Sequence, residues 1–453
     1  MWERPPRPSP FGIDQDEDGM ERVAIGLLGL GTVGSGVARL LGGEGERIAR
    51  RAGRRIDLKW AVVRDLSKPR EGFPGDARIV TDPRRVLDDP EVAIVVETMG
   101  GTDPTLRIVL DALAAGKHVV TANKALLAEH GPEVFAQARR AGRAVVFEGS
   151  VAGGIPIVHA LGVSLAANQV QGVAAILNGT CNFILTSMTH GGLSYAAALR
   201  QAQDLGYAEA DPTLDVDGTD TAHKLAILAQ LAFGAGVSTA QIPRAGIDRL
   251  HLADITYAAE LGYTLKLLAL AKLSESGLEL RVAPTLVKHG TPLAEVRGPY
   301  NAVRVVGDAV GDTLFQGRGA GAMPTASAVV GDLIDIVVGR AALTFRTLNL
   351  WPESAPPVRL TPSQYIRSRY YLRFTIADRP GGLAALAKVL GAHEISIASV
   401  IQHDPGDDAP PGSPVPLVMM THHAVEAGMR SALAEIDRLE VVHAPSICLG
   451  VEE

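Results

Sequence analysis

Two cysteines in 453 residues, Cys181 and Cys448, are too few for a disulfide framework or a multi-cysteine metal site, and they fit a reducing cytoplasm. No apolar run is long enough to span a bilayer, so no membrane partner is expected. Positive charge is not in excess. The formal net charge of −7 provides no basic field to gather nucleic acid. The 12 histidines are scattered without zinc spacing, and no internal repeat suggests a solenoid. The opening stretch MWERPPRPSPFGIDQDEDGME is Pro-rich and then acidic, with no apolar signal core, and residues 1–20 are expected to form a disordered tail.

What is present is the composition of an ordinary globular protein, 47% hydrophobic and 21% charged, long enough for two or three domains. From Glu21 onward strands and helices alternate through Glu148, which predicts an α/β fold with a parallel sheet covered on both faces. Residues 152–316 mix β-like runs with helices, including one expected over Ile255–Lys272, and read as an α+β domain. The run WPESAPPVRLTPS reads as a linker. Beyond it the pattern spells βαββαβ, the size of a small ferredoxin-like domain.

Gly29, Gly31 and Gly34 form G-x-G-x-x-G directly after the first strand, with Thr32 and Val33 inside the motif. The first glycine permits a tight turn, the second lets backbone approach a pyrophosphate, and the third lets helix and strand pack closely, with the helix N-terminus attracting the anion. The second strand ends at Arg64, with Lys68 and Arg70 nearby, which favours the 2′-phosphate of NADP. Asp65 keeps NAD open. The strand His118–Thr121 delivers Asn123 and Lys124 to the sheet's carboxyl edge, where ligands of such sheets bind.

The segment DLGYAEADPTLDVDGTDTAHKLAIL crowds acids into a loop that runs into a helix. Asp220 and Lys224 stand four residues apart on one face of that helix, ahead of an apolar stretch. Hydride transfer from an alcohol needs a base for the hydroxyl proton, and Lys224 and Lys124 are the candidates. Glu209 and Asp215 could hold a substrate ammonium. An EF-hand register fails, because placing Gly218 at its glycine puts Lys224 at the closing glutamate. Cys181, in NGTCN, is the one candidate nucleophile for a thioester-forming dehydrogenase, but it reads better as a small buried residue. A cofactor-binding sensor is the non-enzyme alternative.

The runs GLLGLGTVGSGV, VVTANKALL, FEGSVAGGIPIV, ILNGTCNFIL, LGYAEADPTLDVDGTDTAHKLAIL and GRGAGAMPTASAVVGDL, in that order, resemble homoserine dehydrogenase, and ADRPGGLAALAKVL resembles an ACT regulatory domain. The resemblance implies NAD(P)-dependent interconversion of L-homoserine and L-aspartate 4-semialdehyde, on the route to threonine, isoleucine and methionine. It implies a Rossmann domain over 21–150 completed by a helix at 323–340, a substrate and dimerisation domain over 151–322, a linker over 350–365 and an ACT domain over 366–453. By position it makes Lys224 the proton donor or acceptor with Asp220 beside it. Lys124 lies near cofactor and substrate, and Glu209 and Asp215 become the ammonium ligands. Gly319 and Gly321 match a return loop over the cofactor. A sodium ion would be held at Glu148, Val151, Gly153 and Ile155. An amino-acid effector at the ACT domain, threonine first among the choices, and a homodimer or homotetramer are further expectations.

Overall fold

The computed structural model describes residues 20–68, 73, 77–352, 358–403, 410 and 413–452. The expected tail, apart from Met20, the base Arg70 and most of the loop after Gln402 lie outside the described residues. Two compact units emerge: Met1–Gln169 with His223–Thr239 and Gly317–Pro357, and Val170–Ala222 with Ala240–Gln316 and Val358–Glu453.

The first unit begins β1 (Arg22–Leu28), α1 (Thr32–Ala52), β2 (Arg55–Val62), β3 (Arg78–Val80), α2 (Arg84–Leu87) and β4 (Val92–Glu97). It continues through α3 (Thr105–Ala114), β5 (His118–Thr121), α4 (Lys124–Ala141), β6 (Val145–Val146) and the short α5 (Ile157–His159). The six strands are all parallel in the order β3-β2-β1-β4-β5-β6. That is the dinucleotide-binding order, in which the sheet grows outward from β1 to one side as far as β3 and then to the other from β4. The strands read as near-continuous apolar runs because helices cover both faces. Ile25, Leu27, Ile94 and Val96 pack with Val37 and Leu41 of α1 into a single core. The helix expected after the substrate segment returns to this core, contributing Val329, Leu333 and Ile336. It packs against α1 at Gly36, where an added Cβ would meet the Ala322 carbonyl oxygen at 2.7 Å.

His118 is buried in β5, and its Nδ1 accepts from the Ala144 amide at 3.1 Å, which requires a neutral ring. Burial, helped by the charge of Arg143, lowers its pKa from 6.5 to about 4. The unfolded chain therefore binds the extra proton between those values, and this histidine's contribution to stability falls as pH drops from 6.5 towards 4. Urea unfolding of the wild type and His118→Asn at pH 7 and pH 4.5 is expected to show the wild type losing about 2 kcal/mol more than the variant on acidification. Parallel losses in the two proteins would refute the assignment.

The second unit carries β7 (Val170–Ile176), α6 (Gly179–Gly191), α7 (Tyr195–Asp204), α8 (Thr213–Val216) and the start of α9 (Thr219–Phe233). After these come α10 (Leu252–Glu260), β8 (Tyr263–Ser274), β9 (Gly277–Lys288), β10 (Tyr300–Gly307) and β11 (Gly311–Arg318). The return helix of the first unit is α11 (Ala322–Val337), followed by α12 (Arg340–Leu348). The remainder is β12 (Arg367–Ala377), α13 (Gly382–Ala392), β13 (Ile397–Gln402), β14 (Pro414–Thr421), β15 (Ala424–Val425), α14 (Glu426–Ile436) and β16 (Val442–Glu452).

The single helix expected over Ile255–Lys272 is wrong. Gly262, at φ +83°, ends α10, and Tyr263–Ser274 is a strand. Residues 265–271 are buried on both faces, so the strand shows no period-2 alternation and its sequence reads equally well as a buried helix. The linker expectation also changes. Leu350 and Trp351 are buried, and Arg139 donates to both their carbonyls at 2.7 and 2.8 Å. Further on, Leu278 and Leu360 form a β-bridge.

The βαββαβ segment has strand order β16-β12-β14-β13, as a ferredoxin-like domain should. It is not a separate sheet. β16 pairs in parallel with β9 (Gly450 with Thr285, Val451 with Leu286, Glu452 with Val287), so one ten-stranded sheet runs through both. A buried ionic clasp reinforces the seam: Arg373 donates twice to Asp254 of α10, at 2.6 and 3.1 Å, and Tyr371 donates to the same carboxylate at 3.3 Å. Among the described residues no helix is long and apolar enough to cross a membrane.

Candidate active site

At the crevice between β1 and β4 the glycines behave as their spacing predicts. Gly29 has φ +95° and its amide donates to the Val62 carbonyl at 2.9 Å. A side chain at Gly34 would land on the Gly29 carbonyl oxygen, whereas an added Cβ at Gly31 would meet nothing within 4 Å. Gly31 therefore leaves open space at the start of α1, and among the described residues no side chain caps that helix end. Thr32 and Val33 form the first turn. The N–H groups there are available to an anion, as pyrophosphate binding requires.

The neighbouring strand ends are braced by a residue the sequence did not single out. Glu97 is fully buried, and its carboxylate accepts from the amides of Met99 (2.7 Å) and Gly100 (3.1 Å) and from Thr121 Oγ1 (2.6 Å). Burial nonetheless pushes its pKa above the ordinary carboxylate value. Asn123 caps α4, accepting from the Leu126 amide, and ties the loop by donating to the Gly101 carbonyl at 2.7 Å. Lys124 follows as the first residue of α4, half-buried at the carboxyl edge of the sheet. Past β2, Arg64 is exposed. The Asp65 carboxylate is engaged locally, accepting from the Ser67 amide (2.9 Å) and hydroxyl (2.6 Å).

Glu148 leaves the strand expected for it and starts a single 3-10 turn, Glu148–Ser150. Its carboxylate accepts from the amides of Val158 (2.9 Å) and His159 (2.8 Å), and its own amide donates to Asp332 at 2.9 Å. Burial raises the Glu148 pKa to about 7, and that of Asp332 well above its ordinary value. Val151, Gly153 and Ile155 are buried, and among the described residues no backbone amide donates to the Val151 or Gly153 carbonyls. The Ile155 carbonyl accepts from Ile157 at 2.7 Å. Carbonyl and carboxylate oxygens each have a second lone pair, so this set can coordinate a hard monovalent cation. No cluster of three His, Cys, Asp or Glu side chains suited to a metal occurs among the described residues, and a site built on carbonyls would not form one. Gly153 and Gly154 are close against the return segment: added Cβ atoms there would meet the Gly319 and Arg318 carbonyl oxygens at 2.8 and 2.9 Å. Gly321, at φ +120°, then caps α11.

In the acid-rich loop the structure separates the carboxylates by task. Asp211 and Asp217 serve locally, each accepting from the amide and hydroxyl of the threonine two residues on. Asp215 and Asp220 are brought together by Asn178, whose Nδ2 donates to both, at 2.7 and 3.0 Å. Glu209 stays on the exposed loop. Asp220 and Lys224 are each only 8% exposed, one helical turn apart on α9. The same Asn178 caps α6, accepting from the Cys181 amide at 2.8 Å. Cys181 is fully buried, and its thiol donates to the Asp215 carbonyl at 3.2 Å. That suits a packing and positioning role for Cys181 rather than that of an activated thiolate. Asn182, also in NGTCN, donates to the carbonyls of Val296, Gly298 and Tyr300, and accepts from Lys266 at 3.2 Å. The pentapeptide of small polar groups is thus a clamp, a role that a lone Asn cannot announce in sequence.

Comparison with known proteins gives one answer. Residues 156–334 match the family model described as homoserine dehydrogenase, residues 29–148 match its NAD-binding domain, and residues 370–441 match the ACT domain. The homoserine dehydrogenase of Neisseria gonorrhoeae is 44% identical over 96% of this chain and 99% of its own length. The crystal structure of a homoserine dehydrogenase from Thiobacillus denitrificans superposes with a TM-score of 0.89 at 44% identity, covering 96% of this chain and 99% of that one. A hyperthermophilic archaeal homoserine dehydrogenase in complex with NADPH is similar over 70% of this chain and 98% of its own, with a TM-score of 0.60 at 25% identity.

Proposed function

The chain belongs to the homoserine dehydrogenase family, NAD(P)-dependent oxidoreductases that act on the hydroxyl group of homoserine, and from that premise we propose how its residues divide the work. A nicotinamide dinucleotide held at the turn of Gly29, Gly31 and Gly34 would supply hydride acceptance and donation. Lys224 takes the substrate's hydroxyl proton in oxidation and returns it when aspartate semialdehyde is reduced. The observation that carries this assignment is the burial of Lys224 one turn beyond an acid that Asn178 fixes in place. A lysine so shielded exchanges its proton with a bound partner rather than with bulk water. Asp220 orients it, and Lys124 stands at the sheet edge towards cofactor and substrate. Asp215, held half-buried by Asn178, and Glu209 bind the substrate ammonium.

NADP is the preferred cofactor in this reading. Asp65 commits one carboxylate oxygen to Ser67, which weakens it as a ribose ligand, while Arg64 is exposed and able to meet a 2′-phosphate. The archaeal relative bound to NADPH supports the same choice. Glu148 with the carbonyls of Val151, Gly153 and Ile155 would hold a sodium ion, stabilising the turn that carries Gly153 and Gly154 against Arg318 and Gly319. The functional division is a nucleotide part over 21–150 with the helix at 323–340, a substrate and dimerisation part over 151–322, and an ACT part over 366–453. The ACT part answers to an amino acid, threonine by first choice, in a cytoplasmic homodimer or homotetramer that serves threonine, methionine and isoleucine synthesis.

A steady-state assay of homoserine oxidation with NADP+ and NAD+, with and without threonine, tests the reading. Arg64→Gln is expected to raise the KM for NADP+ about tenfold while leaving that for NAD+ within about twofold, the loss of one charge-assisted phosphate contact. Equal effects on the two cofactors would remove Arg64 from the 2′-phosphate. Saturating threonine without effect on rate or on thermal stability would remove it as the effector.

A further inference from the structure

Outside the catalytic features, the second unit contains a pocket of about 420 Å3 between α14 of the ACT part, β16, β9 and the loop Pro243–Leu250. That volume lies within the range of small-molecule sites. Its charge is one-sided. Arg244, Arg249, Arg281 and Arg430 line it, against a single acid, Glu426. Both Glu426 oxygens are engaged: one accepts from Tyr370 Oη at 2.6 Å, the other from Arg430 Nε at 2.8 Å. Arg281 is half-buried on β9. Its Nε has no hydrogen-bond partner among the described residues, and the nearest acid oxygen, Glu279 Oε1, is an ion-pair contact at 3.4 Å that is itself without a hydrogen bond. Arg244 and Arg249 are exposed at the mouth, and no ion pair is seen for either among the described residues. The remaining wall is mainly apolar, with Leu250, Val282, Met429 and Leu433 prominent beside the hydroxyl side chains Ser363, Tyr370 and Ser446. In a protein of net charge −7, four guanidinium groups around an apolar wall constitute a local anion trap.

We propose that this pocket binds a small aliphatic carboxylate, its carboxylate on the arginines and its chain against Val282, Met429 and Leu433. The reading is independent of an amino-acid effector. A zwitterion would set its ammonium among guanidinium groups, with the only lining acid already committed to Tyr370 and Arg430. Inorganic anions would satisfy the charges but leave the apolar wall wet. Because the pocket spans α14 and the β9–β16 seam, a bound carboxylate would also brace the joint between the substrate sheet and the ACT helices.

The test uses the full chain, with hexanoate, norleucine and inorganic phosphate as probes, in the wild type and in the double variant Arg244→Gln/Arg249→Gln. Both arginines are exposed, so the variant is expected to fold and to retain homoserine oxidation. Calorimetric titration is expected to show hexanoate binding at millimolar concentration or tighter, at least about tenfold better than norleucine or phosphate and about tenfold weaker in the double variant. Hydrogen exchange is expected to slow in residues 243–250 and 426–436 when hexanoate is added. Norleucine or phosphate matching hexanoate, unchanged affinity in the double variant, protection elsewhere in the chain, or no binding of hexanoate would each overturn the proposal.

Discussion

Replacing Lys224 with alanine is expected to lower kcat for homoserine oxidation by about a thousandfold, the middle of the range for losing a general acid–base. Affinity for NADPH should stay within about twofold, because the amine acts on the reacting hydroxyl in the transition state and not on the nucleotide. The variant should fold. Asp220 keeps its hydrogen bond from Asn178, so removing the lysine leaves no orphaned carboxylate at the head of α9. Lys224→Arg sharpens the test, since a guanidinium keeps the charge but does not release its proton near neutral pH. Turnover restored by arginine would mean that the residue contributes charge alone. Parallel loss of turnover and NADPH binding would mean a structural role. Stopped-flow measurement of the hydride step, with fluorescence titration of NADPH, separates these cases.

The second large effect concerns the turn between β1 and α1. Gly34→Ala puts a methyl group on the Gly29 carbonyl oxygen, a contact that no rotamer can relieve. The turn has to open, at a cost of about 1–3 kcal/mol, the usual range for overpacking. Both the melting temperature and the affinity for NADPH should fall, the latter by about ten- to a hundredfold. Gly31→Ala is the informative partner, since a Cβ there meets nothing within 4 Å. It should leave the melting temperature within about 1 °C while weakening NADPH, because ordinary surface changes cost little and the added methyl occupies space intended for pyrophosphate. A Gly31 variant that binds NADPH normally would place the phosphates elsewhere.

These two sites were legible in the sequence for different reasons. The glycine turn carries a spacing whose physics is local, so Gly29, Gly31 and Gly34 could be read before any contact was known. Asp220 and Lys224 could be placed on one helix face by counting, and both are buried as that reading requires. The carboxylates around them could not be sorted by counting. Asp211, Asp215 and Asp217 look alike in the sequence, yet only Asp215 shares Asn178 with Asp220, because the partner lies 37 residues earlier in the chain. Glu97 was missed for the same reason: its donors are a following loop and Thr121 of the next strand. The strand Tyr263–Ser274 was misread because a strand buried on both faces loses the alternation that identifies strands. The extension of one sheet into the ACT segment left no trace at all, since the strands that meet there have no feature reserved for each other.

That extension has a consequence for how the chain is made. Lys272 and Glu452, which bond at 2.7 Å beside the seam, are 180 positions apart in the chain. During synthesis the Thr285–Val287 end of β9 must wait, its edge bare, while every residue up to Glu452 is translated, whereas Val282 is already bridged by Arg244. A bare edge is a template for adventitious pairing with neighbouring chains. Slow elongation or a premature stop between β9 and β16 would therefore favour aggregates over soluble intermediates, and a chaperone that shields this ribbon would act before the ACT segment exists.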